Sequence, residues 1–176
     1  PTYMSRTNPY KKKRRSASRT LLMYGEGLGE EIFLKYLKGL YSRDSGVTVT
    51  IRNGKGGTPW NIVINAVNEP GAFDRRIVIL DNDKSEQEMN QARAEARGKG
   101  IELLENSPCL EAMLLAILRA GQSFSGKTSA WCKSEFESNY LNKKKRTELD
   151  GYSRIFPKTI LETQRVHIVE LNMLIS

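Results

Sequence analysis

Cysteine and histidine are scarce in this sequence. Its 176 residues include two cysteines, Cys109 and Cys132, and a single histidine, His167. Two isolated cysteines make neither a disulfide framework nor a zinc knuckle, and one histidine excludes a histidine-rich metal site. Any metal site in this chain must therefore be built from oxygen ligands.

Long apolar runs are also missing. No stretch approaches the ~18 residues that a membrane-spanning helix requires, and residues 1–15 lack the apolar core of a secretion signal. We therefore expect a cytoplasmic protein that has no membrane partner.

Basic residues outnumber acidic ones. The 28 lysines and arginines against 20 aspartates and glutamates give a net charge of +8. Such an excess favours an anionic partner, and nucleic acid is the partner that we expect. The basic side chains form two runs that are predicted to bind phosphates, namely Lys11, Lys12, Lys13, Arg14 and Arg15, and Lys143, Lys144, Lys145 and Arg146. For the first run, a solvated tail is an equally open alternative.

Strand-like and helix-like segments alternate from Arg19 to Leu118. The predicted strands are Arg19–Tyr24, Val47–Ile51, Arg76–Leu80 and Ile101–Leu104. The predicted helices are Glu30–Tyr41, residues 58–67, Ser85–Arg97 and Leu110–Leu118. Strands separated by helices pair in parallel, so the pattern predicts an α/β fold with an open parallel sheet and helices on both faces.

Three segments with different composition make up the predicted organisation. Residues 1–18 have no apolar periodicity and are interpreted as a basic flexible arm. Residues 19–121 form the α/β domain. Strand signals stop after Gly121, so residues 122–176 are predicted to be a helical extension.

Acidic side chains follow two of the predicted strands. Glu26 comes directly after the first strand, and Asp81 and Asp83 follow the third. Ligands collect at the carboxyl edge of an open parallel sheet, so we expect the two groups to face each other. Asp81 and Asp83 would point the same way in an extended segment and could share a cation. Carboxylate oxygens suit Mg²⁺ or Mn²⁺, although an Asp-x-Asp after a strand also occurs as turn chemistry.

A glycine-rich loop offers a further candidate. Lys55 lies in the segment Asn53-Gly54-Lys55-Gly56-Gly57-Thr58, just before a predicted helix. Backbone N–H groups at a helix N-terminus and a lysine could hold a phosphate, so Lys55 is predicted to assist catalysis. A surface loop with no ligand is the alternative.

These motifs resemble a known family. A strand ending in Glu26-Gly27 and another ending in Asp81-Asn82-Asp83 resemble the TOPRIM domain of topoisomerases, primases and OLD-type nucleases. The resemblance extends to the RloB-like family, whose usual patterns are Glu-Gly-x-x-Thr-Glu followed by an aromatic residue, Asp-x-Asp, and Ser-Asn-Pro-Cys-Phe-Glu. The matching positions are Glu26, Gly27, Glu31 and Phe33, then Asp81 and Asp83, then residues 106–111. The chain departs from these patterns at Glu30, where threonine is usual, and at Asn106, Ser107, Leu110 and Met113.

The resemblance implies metal-dependent chemistry on phosphodiesters. Glu26 would act as a base or a metal ligand, and Asp81 and Asp83 would hold magnesium. Glu111 and Glu31 are further candidate ligands, for which the alternative is an acid in the first turn of a helix. Two metals could stabilise the attacking and leaving oxygens, whereas one metal would better support a covalent nucleophile. No tyrosine stands out as that nucleophile, so hydrolysis is expected.

The function expected from the sequence is therefore that of a Mg²⁺-dependent nuclease. The resemblance implies a bacterial or phage-defence setting and a neighbouring ATPase as partner. The sequence leaves open whether the substrate is DNA, tRNA or another RNA, and whether the chain forms a homodimer. The alternative is a non-catalytic TOPRIM-like subunit that binds nucleic acid or a protein partner.

Overall fold

The core of the fold is a four-stranded parallel sheet. The computed structural model describes residues 19–43, 45–54 and 56–175. The strands are β1 Arg19–Gly25, β2 Val47–Asn53, β3 Arg75–Asp81 and β4 Glu102–Asn106. Their order in the sheet is β2-β1-β3-β4, and every neighbouring pair is parallel. The predicted open parallel sheet is confirmed.

Helices connect the strands at the positions that the sequence predicts. They are α1 Leu28–Tyr41, α2 Pro59–Asn68 and α3 Glu86–Gly98, and α4 Leu110–Leu118 follows β4. The side chain of Thr58 caps α2 by accepting a hydrogen bond from the backbone N–H of Asn61. Ser85 and Glu88 form a capping box at the start of α3. Local capping chemistry therefore sets where these two helices begin.

Side-chain alternation along the strands divides the core into two layers. Leu22, Val78 and Leu80 face α2 and α3 on one side of the sheet. Leu21, Met23, Ile77 and Ile79 face α1 and α4 on the other side. Because successive strand residues point to opposite faces, these near-continuous apolar runs match a sheet that is covered on both faces.

The helical extension packs on the α1 and α4 side. It contains α5 Ser129–Asn139, a short 3-10 turn at Lys145–Thr147, α6 Leu149–Ile155, α7 Lys158–Gln164 and α8 Val169–Ile175. Rings of Tyr152 and Phe156 lie 6.1 and 5.9 Å from the ring of Phe33 in α1. The extension therefore shares its apolar core with the sheet. Among the described residues, no helix has the length and apolar character needed to cross a bilayer.

Candidate metal centre

The carboxyl ends of β1 and β3 bring two of the predicted acids together. The strands are neighbours in the sheet, with Gly25 in register with Ile79. Asp81 is the last residue of β3, and Glu26 follows the last residue of β1. The backbone N–H of Asp81 donates a hydrogen bond to Oε2 of Glu26 at 3.0 Å. The parallel arrangement thus places both carboxyl groups at one edge of the sheet.

Glu30 supplies the third carboxyl group. It lies in the first turn of α1 and is 9% exposed. One carboxylate oxygen from each of Glu26, Glu30 and Asp81 lies within 4.8 Å of the other two. We call these three residues the acidic cluster. Its donors are all carboxylate oxygens, which is the ligand type that Mg²⁺ and Mn²⁺ prefer, so the residues present fit such an ion.

Burial and mutual repulsion raise the pKa of each carboxyl group in the acidic cluster. Burial raises the pKa of Asp81 to about 9, and the charges of Glu30, Glu26 and Glu111 add to the effect. The N–H of Leu110 opposes this shift in the pKa because it donates to Oδ1 of Asp81 at 3.0 Å. Burial also raises the pKa of Glu26 and of Glu30. A divalent cation would favour the ionised carboxylates and relieve their repulsion.

The acidic cluster lines an open cleft of about 350 Å³. The rest of the lining comes from three glycines, from Glu111 in α4, and from two basic residues of the helical extension, Lys133 and Arg146. Lys133 lies in α5 and remains exposed to solvent. Burial lowers the pKa of Lys133, but the charges of Glu111 and Asp81 outweigh it and raise that pKa above its ordinary value. Lys133 therefore stays cationic beside the carboxyl groups.

Buried Glu111 and partly buried Arg146 form an ion pair at this cleft. Nη2 of Arg146 lies 2.7 Å from Oε1 of Glu111, and the two side chains are 12% and 6% exposed. Nη1 of Arg146 also lies 3.2 Å from Glu137. Arg146 was predicted to bind phosphates together with Lys143, Lys144 and Lys145, but it turns inward onto Glu111 and over the ring of Phe136. Lys143, Lys144 and Lys145 are exposed, as a phosphate-binding run requires.

Asp83 and Glu31 lie outside the acidic cluster. β3 ends at Asp81, so the strand alternation expected to align Asp83 with Asp81 does not continue. Asp83 is exposed and accepts a hydrogen bond from the hydroxyl of Ser129 at 3.0 Å. Glu31 pairs with Lys35 at 2.9 Å and accepts from the amide of Asn53. The hydrogen bond from Lys35 lowers the pKa of Glu31, as expected for a stable surface ion pair.

The remaining predicted residues fall on parts of the chain for which the structure gives no description. Lys55, and the run from Lys11 to Arg15, lie outside the described residues. Their predicted roles stay predictions.

Sequence reasoning missed two residues of the site, Glu30 and Lys133. A signal for Glu30 was present, because this position carries an acid where the RloB-like pattern has threonine. No local pattern marks Lys133, which reaches the cleft only because the extension folds back over α4. Comparison of the chain with protein-family models, with curated proteins and with solved structures found no match in any of the three.

Proposed function

We propose that the chain is a metal-dependent nuclease of TOPRIM type that hydrolyses phosphodiester bonds in nucleic acid. The observation that carries the proposal is the convergence of Glu26, Glu30 and Asp81 at the carboxyl edge of a parallel sheet. In open α/β sheets this edge is where ligands bind. The net charge of +8 adds a general attraction for a polyanionic substrate.

The acidic cluster is the proposed site for Mg²⁺ or Mn²⁺. When bound there, the ion would polarise a phosphate oxygen and lower the pKa of water. Glu30 and Asp81 are buried and so contribute fixed carboxylates to this site. Asp81 is held in place through Oδ1 by the N–H of Leu110 at the start of α4.

Glu26 is the proposed general base or third ligand. It is less buried than Glu30 and Asp81, and its Oε2 is oriented by the N–H of Asp81. Burial raises the pKa of Glu26 above its ordinary value, which makes its carboxylate a stronger base toward an attacking water.

Lys133 is the proposed contact for the substrate phosphate. It lines the cleft, faces the carboxyl groups and remains exposed to solvent. A cation at this position would attract a phosphodiester to a cleft that the acidic cluster alone would repel. The exposed Lys143, Lys144 and Lys145 would add contacts to neighbouring phosphates.

The biological setting of the proposal comes from the RloB-like resemblance alone. It suggests a bacterial or phage-defence role with a partner ATPase that controls the nuclease. Purified protein should therefore be assayed both alone and with any genetically linked ATPase.

The test compares two variants that lose the same charge. Wild type, Glu26→Gln and Glu31→Gln are incubated with plasmid DNA, single-stranded DNA and tRNA in Mg²⁺ or Mn²⁺. Glu26→Gln should cut on the order of a hundredfold more slowly, because it loses a base or ligand, while its affinity for nucleic acid persists. Glu31→Gln should cut at the wild-type rate, since Glu31 pairs with Lys35 outside the cluster.

Two results would contradict the nuclease proposal. One is that every substrate stays intact under all conditions, and the other is that Glu26→Gln cuts as fast as wild type. Binding without any cleavage would favour the alternative, a non-catalytic subunit that binds nucleic acid or a protein partner.

A further inference from the structure

Arg146 enters the metal cleft from a distant part of the chain. It belongs to the 3-10 turn that follows α5, and it lines the same cleft as the acidic cluster. Its guanidinium approaches α1 so closely that a Cβ atom added at Gly29 would lie 3.0 Å from Nη2. Gly29 is one residue from Glu30, so the cation lies beside the acidic cluster as well as on Glu111.

Glu111 is the carboxyl group that would otherwise be available for a second ion. It is buried and lines the cleft, and its charge is among those that raise the pKa of Asp81. Nη2 of Arg146 lies 2.7 Å from Oε1 of Glu111. Oε2 of Glu111 has no hydrogen-bond partner among the described residues. Such a short, partly buried, charge-assisted contact holds the carboxylate firmly on the guanidinium.

The charged side chains that line the cleft leave a net negative charge that one divalent cation would neutralise. Among the described residues, four carboxyl groups line it, together with the two cations Lys133 and Arg146. A single divalent cation would therefore complete the charge balance. A second divalent ion would leave an excess of positive charge in a partly buried site, which is electrostatically unfavourable.

We propose that Arg146 stands in place of a second metal ion, so that the cleft binds a single divalent cation at Glu26, Glu30 and Asp81. The inference deepens the proposed nuclease function and rests on its metal site. Arg146 is then a residue that determines metal stoichiometry, because it neutralises Glu111 with a charge that the protein itself supplies. A one-metal site follows from the residues in the cleft.

The test is a titration with Mn²⁺ alone. Calorimetry and the electron paramagnetic resonance signal of free Mn²⁺ measure how many ions each variant binds. Wild type should bind a single ion. Arg146→Gln should bind a second ion, because it frees Glu111, and Arg146→Gln/Glu111→Gln should return to a single ion. Arg93→Gln is the matched control. It also breaks an arginine–carboxylate contact of 2.7 Å, between Arg93 and Glu105, outside the lining of the cleft, so it should keep a single ion.

A further variant covers the case in which Arg146→Gln fails to fold. Glu111→Gln retains an oxygen acceptor for Arg146 and should still bind a single Mn²⁺ ion, with an affinity reduced by no more than the roughly 10- to 100-fold that loss of an outer-shell group costs. A loss of more than about 100-fold would show that Glu111 is a ligand and would overturn the inference.

The outcomes separate the inference from the function on which it rests. Two ions bound by the wild type, or a single ion bound by folded Arg146→Gln, would overturn the role of Arg146 and leave the nuclease proposal standing. No Mn²⁺ bound by the wild type would reject the metal-dependent function itself.

Discussion

Oε2 of Glu26 accepts a hydrogen bond from the backbone N–H of Asp81, with the two atoms 3.0 Å apart. The residues are 55 positions apart in the chain, but they lie at the ends of neighbouring strands. The contact is made between protein groups, so the protein itself orients the Glu26 carboxylate against Asp81. Substitutions in the acidic cluster should therefore change its charge and its metal ligands more than the relative positions of its residues.

Glu30 should matter more for metal binding than Asp83. Glu30→Gln removes a buried carboxylate of the acidic cluster, whereas Asp83→Asn changes an exposed side chain that contacts Ser129. Loss of outer-shell groups already costs about 10- to 100-fold in metal affinity, so loss of Glu30 should cost at least about 10-fold. Isothermal titration with Mg²⁺ and Mn²⁺ measures both variants. An equal loss in the two would restore Asp83 as a ligand.

The metal-free protein should become less stable as the pH rises. The pKa of Asp81 is raised from its ordinary value of 3.8 to about 9, so the folded state holds a proton that the unfolded state releases. The free energy of unfolding should fall between about pH 4 and pH 9. Asp81→Asn removes this charge and keeps an oxygen acceptor for the N–H of Leu110, so it should be more stable than wild type at pH 8.

Urea unfolding in chelator at several pH values measures this effect. Addition of Mg²⁺ provides the control, because it should stabilise wild type and leave Asp81→Asn unchanged. A wild-type stability that does not depend on pH would contradict the prediction, and so would an Asp81→Asn variant destabilised at pH 8.

Gly25 should tolerate no side chain, because a Cβ there would lie 2.8 Å from Cβ of Glu30. Gly25→Ala should push α1 away from β1 and cost about 1–3 kcal/mol of stability, with weaker metal binding as a consequence. Gly39 lies in α1 with open space around it, so Gly39→Ala should stabilise the protein by about 0.5–1 kcal/mol. Thermal unfolding distinguishes the two. Equal stability of the variants would mean that the contact with Glu30 is not tight.

The exposed lysines of the second basic run should contribute to nucleic-acid affinity in a salt-dependent way. Replacing Lys143, Lys144 and Lys145 by Gln should reduce the slope of log K against log salt by about 0.7 to 0.9 for each phosphate that the variant no longer neutralises. A variant without residues 1–18 tests the first run in the same way. The control is Arg97→Gln/Lys99→Gln, which neutralises exposed side chains at the far end of α3. An unchanged slope in the lysine variant would exclude these residues from the interface.

Periodicity and turn chemistry were enough to predict the fold and two members of the acidic cluster. The β-branched and apolar runs identified the four strands, and Thr58 and Ser85 marked the starts of two helices. Glu26 and Asp81 could be paired in advance, because parallel strands end at the same edge of a sheet. The strand and helix signals are local in the sequence. The pairing of Glu26 with Asp81 follows from them because parallel strands end at the same edge of a sheet.

The rest of the site depends on distances that only the tertiary structure sets. Glu30 enters the acidic cluster because α1 packs directly on Gly25, and Asp83 leaves it because β3 ends two residues earlier. Arg146 belongs to a basic run in the sequence, yet it is partly buried and paired with Glu111, which is 35 positions away. The physical reason is that a charged side chain is exposed or paired according to the segments that fold over it, and those segments lie far away in the sequence.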